Sequence, residues 1–226
     1  MSLDRSNSFS NDDLVKNIMN LRNIPNSKYF DLKLKFCYHT NKIEGSTITL
    51  SGLISMIEDG IIIGEPKLDD VLESLNSLKL FDYVIDTVDE PLSKHLIKSY
   101  HQLLKKGTKD DEMGLCGCFK KYPNQIIGTE FQTVEPYLVE EEMEKLIRLP
   151  VNSVRDISEF HYRFERIHPF QDGNGRVGRF LMFRQLLKIN RFPIIISESN
   201  VANYRKSLNN VESLTEFIST CDEYKF

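Results

Sequence analysis

Apolar positions along this chain recur mostly at steps of three and four. Val71, Leu75, Leu78, Phe81, Ile85 and Val88 follow that rhythm behind Pro66, and predict a long helix with one buried face. Leu96, Ile97, Tyr100, Leu103 and Leu104 form a second stripe, which Gly107 closes. Pro136 opens a third helix, through Val139, Met143, Leu146 and Ile147. Ser153 and Asp156 have the spacing of a cap for a fourth, with Ile157, Phe160, His161 and Phe164 on its inner face. A fifth helix is expected from about Gly175 to Ile189. It is apolar almost all round between its arginines, which puts it at the centre of a bundle. Two shorter helices follow, near Ala202–Leu208 and Leu214–Cys221. The exception is 125–134, rich in β-branched and aromatic residues around Gly128, which predicts a short hairpin. The expected fold is therefore all-α, a helical bundle with one small β-hairpin flap. Its parts are a tail over 1–13, N-terminal helices over 14–65, and a core over 66–226.

Composition narrows the function. With 226 residues, 40% of them apolar, the chain can bury a real core, yet no apolar run is long enough to span a membrane. Residues 1–13 are rich in Ser, Asn and Asp without an apolar stretch, which is not the pattern of a secretory signal. Of the four cysteines, Cys116 and Cys118 stand close together but lack a second Cys/His pair. Zinc is not expected; reduced thiols and a cytoplasmic protein are. A net charge of −4 argues against a nucleic-acid partner. The charge is unevenly placed, however: residues 163–191 carry +5 while the remainder carries −9. A basic focus in an acidic chain points to a small anionic ligand.

That focus surrounds His168-Pro169-Phe170-Gln171-Asp172-Gly173-Asn174-Gly175-Arg176-Val177-Gly178-Arg179. Pro169 discourages helix at His168, and Gly173 and Gly175 permit backbone closed to other residues. The segment then runs into the fifth helix, whose N-terminal N–H groups can cradle phosphate oxygens. Arg176 and Arg179, three apart, can face one anion. Asp172 is a hard carboxylate of the kind Mg²⁺ takes beside phosphates. His168 stands where it could accept a proton from an incoming hydroxyl.

The segment resembles the signature of the Fic family, His-x-Phe-x-Asp/Glu-Gly-Asn-Gly-Arg-x-x-Arg, at every fixed position. The resemblance implies a Fic-type bundle and transfer of AMP from the co-substrate ATP to a Ser, Thr or Tyr hydroxyl of a target protein. It implies His168 as base, Asp172 as the Mg²⁺ ligand, phosphate contacts from Gly173, Asn174 and Gly175, and phosphate clamps at Arg176 and Arg179. Phe170 is expected to anchor the loop in the core. Doc-like relatives that phosphorylate carry lysine where this chain has Gly175, so glycine favours attack at the α-phosphate with pyrophosphate leaving. Ile127, Gly128, Thr129 and Glu130 stand where relatives carry a flap that registers the target by main-chain pairing. Tyr204 and Asn209 lie where relatives hold the nucleoside. Lys120 replaces an arginine found in many relatives, which keeps the charge without the bidentate fork.

Upstream, Thr40 and Glu44 are four apart, hence on one helical face, and Gly45 suits a helix stop. With the signature downstream, this resembles the family's inhibitory motif, ahead of the core as in the class with an N-terminal inhibitory helix. Glu44 is then expected to pair with Arg179 and hold the charge that the γ-phosphate needs. Self-modification and a homo-oligomer stay open. Two alternatives also stand, because a glutamate near the phosphates could orient a water. One is removal of AMP from a modified protein; the other is a non-catalytic nucleotide-binding module.

Overall fold

Side-chain caps set where the helices begin. Ser27, Thr49, Ser93, Ser153 and Asn210 each accept a hydrogen bond from the backbone N–H three residues on. The computed structural model describes residues 14–126 and 131–225. Among them are eleven α-helices: α1 (Leu14–Leu21), α2 (Lys28–Ile43), α3 (Leu50–Glu58), α4 (Leu68–Asp86), α5 (Lys94–Lys105), α6 (Lys109–Glu112), α7 (Val139–Ile147), α8 (Val154–Ile167), α9 (Asn174–Lys188), α10 (Val201–Ser207) and α11 (Val211–Thr220). Pro136–Leu138 is a single 3₁₀ turn leading into α7, as a proline at a helix start allows. The expected tail over 1–13 lies outside the described residues.

The apolar surround of α9 has its predicted result. Every residue from Arg176 to Leu187 is buried. Phe180 and Phe183 pack on Phe36 of α2 with ring centroids 5.0 and 4.9 Å apart, and Phe81 of α4 stands 5.0 Å from Phe183. One large core therefore joins α1–α5 and α7–α9, so the N-terminal helices share it with the helices on either side of the α8–α9 loop. A second apolar cluster packs α8 and α9 against α10 and α11 through Ile157, Met182, Leu186, Tyr204, Leu214 and Ile218.

The close approach of α8 to α9 depends on Gly178. A Cβ there would stand 2.5 Å from Glu165 Oε1 and 3.0 Å from His161 Cε1, both buried. Gly178→Ala should cost towards the upper end of about 1–3 kcal/mol for overpacking, against about 1 kcal/mol gained in helix propensity. A fall in melting temperature of roughly 4–8 °C is expected, and an unchanged melt would contradict it.

The hairpin expectation is met only by an isolated antiparallel bridge between Gln125 and Gln132. No strand occurs among the described residues, and Ile127, Gly128, Thr129 and Glu130 lie outside them. No described helix is long and apolar enough to cross a membrane.

Candidate active site

The loop between α8 and α9 is held in shape by its own side chains. His168 ends α8 with φ +50°, a left-handed conformation that shortens the turn into the loop. Asn174 then clamps the loop: its Oδ1 accepts from Phe170 N at 2.7 Å and its Nδ2 donates to Phe170 O at 2.8 Å. Asn124 Nδ2 donates to the same carbonyl at 2.8 Å. The Asn174 side chain is thus committed to the loop, and only its backbone remains for a phosphate. Phe170 is fully buried, as an anchor should be, and stacks on His101 of α5 with centroids 3.9 Å apart and planes 2° from parallel.

Gly173 takes φ +77° and precedes α9, where no side chain caps the helix. The α9 N-terminus is left open to an anion. Gly175 differs from the sequence expectation, because it lies inside the helix with no positive φ. It is needed for space: a Cβ there would collide with the Glu44 carboxylate and stand 3.0 Å from Arg179 Nη1.

The two arginines diverge rather than share an anion. Arg179 turns to the end of α2, where its Nε donates to Thr40 Oγ1 at 2.8 Å and its Nη2 to Thr40 O at 2.8 Å and Glu44 Oε1 at 2.6 Å. Arg176 turns the other way, to Glu73 of α4 and to Asp172 Oδ2 at 3.3 Å. Each buried guanidinium is claimed by a carboxylate from a different helix, which their spacing on α9 could not reveal. Glu44 is the C-cap of α2, with Gly45 at φ +87° after it, and 36% of its side chain is exposed. Burial opposes its ionisation, but Arg179 outweighs that and holds the carboxyl below the usual range.

Asp172 keeps 59% of its side chain exposed while Lys105 Nζ contacts its Oδ2 at 2.6 Å. Burial works against the charge, yet Arg176 and Lys105 hold this carboxyl far below its ordinary value. A single ionised, solvent-facing carboxylate fits a Mg²⁺ that keeps most of its waters.

His168 is half-buried, and burial pushes its imidazole down to about 4, with the Glu165 carbonyl partly opposing. It is therefore neutral at pH 7 and free to accept a proton. If the His168 proton limits activity, the rate should hold down to about pH 5 and fall as pH drops through about 4, not near the ordinary 6.5. Stability has its own pH window. His101 and His161 are also driven down by burial, each to about 3, so all three stay neutral in the fold while the unfolded chain takes up protons below about 6.5. Stability should thus decline as pH falls from about 6.5, which melts at stepped pH would show.

Sequence reasoning missed three contributors. His101 Nδ1 accepts from Gly117 N at 3.0 Å, which makes Nε2 the donor to Asp172 O, also at 3.0 Å. Glu73 and Lys105 complete the buried charge cluster. The available signal was polar residues lying on otherwise apolar helix faces. Lys120 is also spoken for. Its Nζ donates to Asn124 Oδ1 at 2.7 Å, Thr133 Oγ1 at 2.9 Å and Ile167 O at 3.3 Å, while its N–H donates to Pro169 O at 2.8 Å. It braces both flanks of His168, and burial pulls its ammonium down to about 8.

The expected nucleoside contact at Tyr204 does not fit the geometry. Tyr204 is buried, its Oη lies 2.7 Å from His161 Nε2, and its ring packs against Phe217. It faces inward from α10 because the second apolar cluster needs a large side chain there. Asn209, after α10, is exposed, and its carbonyl accepts from Arg166 at 3.5 Å.

Comparison with known proteins agrees with this loop. Residues 91–186 match the model of the Fic/DOC family. The chain is 24% identical over 202 residues to the protein adenylyltransferase Fic of Nematostella vectensis, covering 82% of this chain and 46% of that protein. It is 27% identical over 223 residues to the protein of the same name in Drosophila virilis, covering 90% and 43%. The chain thus spans less than half the length of these relatives. A Fic domain containing signalling protein from Bacteroides thetaiotaomicron has the same fold, with a TM-score of 0.76 at 21% identity over 94% of this chain and 92% of that one. A Fic family protein from Desulfovibrio desulfuricans gives 0.70 at 19% identity, over 90% and 68%. Residues 91–186, which include the loop between α8 and α9, thus match the Fic/DOC family, and the fold is that of Fic domain proteins.

Proposed function

We propose that this chain is a protein adenylyltransferase of the class with an N-terminal inhibitory helix. The observation that carries the reading is the neutral His168 beside an uncapped helix N-terminus, with Asp172 and Arg179 flanking it. In the reaction, a Ser, Thr or Tyr hydroxyl oxygen of the target bonds to the α-phosphorus of ATP. The bond from that phosphorus to the bridging oxygen breaks, and pyrophosphate leaves. His168 takes the hydroxyl proton. The N–H groups at Gly173–Gly175 line the phosphates, and Arg176 keeps Asp172 in place from beneath. Asp172 would hold Mg²⁺, which when bound neutralises phosphate charge. The stretch 125–134 is assigned to the target as its docking edge.

Glu44 makes this an inhibited state. It occupies Arg179, the partner proposed for the γ-phosphate, and its carboxylate sits over Gly175 where phosphate oxygens would approach. That same position would let it orient a water, which supports AMP removal as a second activity. Incubating wild type and Glu44→Gly with α-labelled and γ-labelled ATP in a host lysate tests the main reading. Protein label from the α position alone is expected; label from the γ position would make the enzyme a kinase. An AMP-modified protein offered without ATP separates the second activity. Asp172→Ala should abolish α-label transfer at ordinary Mg²⁺, and near-normal turnover with unchanged metal dependence would remove it from the metal.

A further inference from the structure

Lys105 Nζ lies 2.5 Å from Glu73 Oε1, 2.6 Å from Asp110 Oδ2 and 2.6 Å from Asp172 Oδ2. An ammonium has three N–H donors, and here each can meet a different carboxylate. Glu73 also pairs with Arg176, which reaches back to Asp172. Lys105, Glu73, Arg176 and Asp172 therefore close a ring of alternating charge, with Asp110 attached at Lys105. Three acids against two bases leave one negative charge over. Lys105, Glu73 and Arg176 expose a tenth of their side chains or less, whereas Asp172 exposes 59%, so the excess is presented on the loop.

Three carboxylates converge on one point, and the fold fills it with the Lys105 ammonium. An ammonium hydrogen-bonded to Asp172 repels a dication approaching the same carboxylate. One exposed carboxylate is also only part of the set that Mg²⁺ takes, the rest coming from substrate phosphates. A triphosphate alters the balance by bringing its own anionic oxygens. We propose that Lys105 is a built-in cation that keeps the Asp172 site from taking a divalent metal alone, so that metal enters only together with nucleotide phosphates. The proposal rests on the nucleotide-transfer reading given above. A purely structural Lys105, tying α4, α5 and the loop together, would affect the melt and leave metal dependence unchanged.

The test is Mn²⁺ binding to nucleotide-free protein, by calorimetry and by melting temperature, in wild type and Lys105→Met. Wild type should show neither heat nor a melting shift. Lys105→Met should bind Mn²⁺ at least about tenfold tighter and melt higher in its presence, because the three acids then lack their ammonium. A variant with no such gain overturns the proposal, as does a wild type that binds Mn²⁺ equally well with and without nucleotide. Asp110→Asn keeps the idea testable should Lys105→Met not fold, since this residue sits at the outer edge of the cluster and its ion pair is to Lys105. It leaves the ammonium less compensated, so half-saturation by Mg²⁺ in binding of a non-hydrolysable ATP analogue should rise about threefold. Unchanged Mg²⁺ dependence in Asp110→Asn counts against the proposal. If wild type binds the analogue with no Mg²⁺ dependence at all, the nucleotide reading itself fails, and this inference with it.

Discussion

His168→Ala should lower AMP transfer by about 10²- to 10⁴-fold, the usual loss on removing a general base. The side chain offers a neutral imidazole and makes no ion pair among the described residues, so phosphate binding has little reason to change. The fold should hold as well, because Asn174 and Asn124 clamp the loop through Phe170 without using the imidazole. Alanine does carry the left-handed backbone at 168 less readily, which a small fall in melting temperature would register. The decisive comparison is α-label transfer against calorimetric binding of MgATP. Lost transfer with retained binding is the expected pattern. A variant that keeps most of its turnover would remove His168 from the proton-accepting role.

Glu44→Gly should move activity the other way. Arg179 gives up one charged partner and keeps both bonds to Thr40, so it stays oriented for a phosphate. Coupling of about 1–3 kcal/mol between the inhibitory contact and productive binding corresponds to a gain of roughly 5- to 150-fold. Self-modification in α-labelled ATP is a convenient first measure. Adding Arg179→Ala should cancel the gain, since the freed partner is then missing. A glutamate that merely ended a helix would give level or lower activity on removal. A folded Glu44→Gly with no rise in α-label on itself or any lysate protein would sink the inhibitory reading.

The helices and the loop were legible because they depend on local rules. Ser153 caps α8 where the spacing placed it, Gly107 takes its positive φ after α5, and α9 is buried all round as its apolar surround required. The meeting of Thr40, Glu44 and Arg179 was also anticipated, though through resemblance rather than through any one-dimensional pattern. The charge ring was not foreseen. Glu73, Lys105 and Arg176 come from three helices, and nothing in their spacing along the chain pairs them. Burial turns them into partners, and burial of a charge is decided by what packs against it. For Tyr204 the sequence allowed either nucleoside contact or helix packing, and in the fold its ring lies in the second apolar cluster, 5.8 Å from the Arg179 guanidinium. The same limit applies to Gly175, whose need is for volume beside a distant glutamate rather than for an unusual turn.

The position of Glu44 at the end of α2 has one further consequence. A helix carries about half a negative charge at its C-terminus, so a carboxylate there is disfavoured by about 0.3–1 kcal/mol. Arg205 Nη2 already donates to Ile43 O at 2.8 Å, but the Glu44 carboxylate itself is answered by Arg179. The last turn of α2 is thus wound against its own macrodipole and depends on that guanidinium. When a triphosphate competes for Arg179, which stays tied to Thr40, the Glu44 carboxylate would lose that compensation. Under the proposed inhibitory role, ligand capture and fraying of this turn would reinforce each other, and relief of inhibition would be a graded helix–coil event at one helix end.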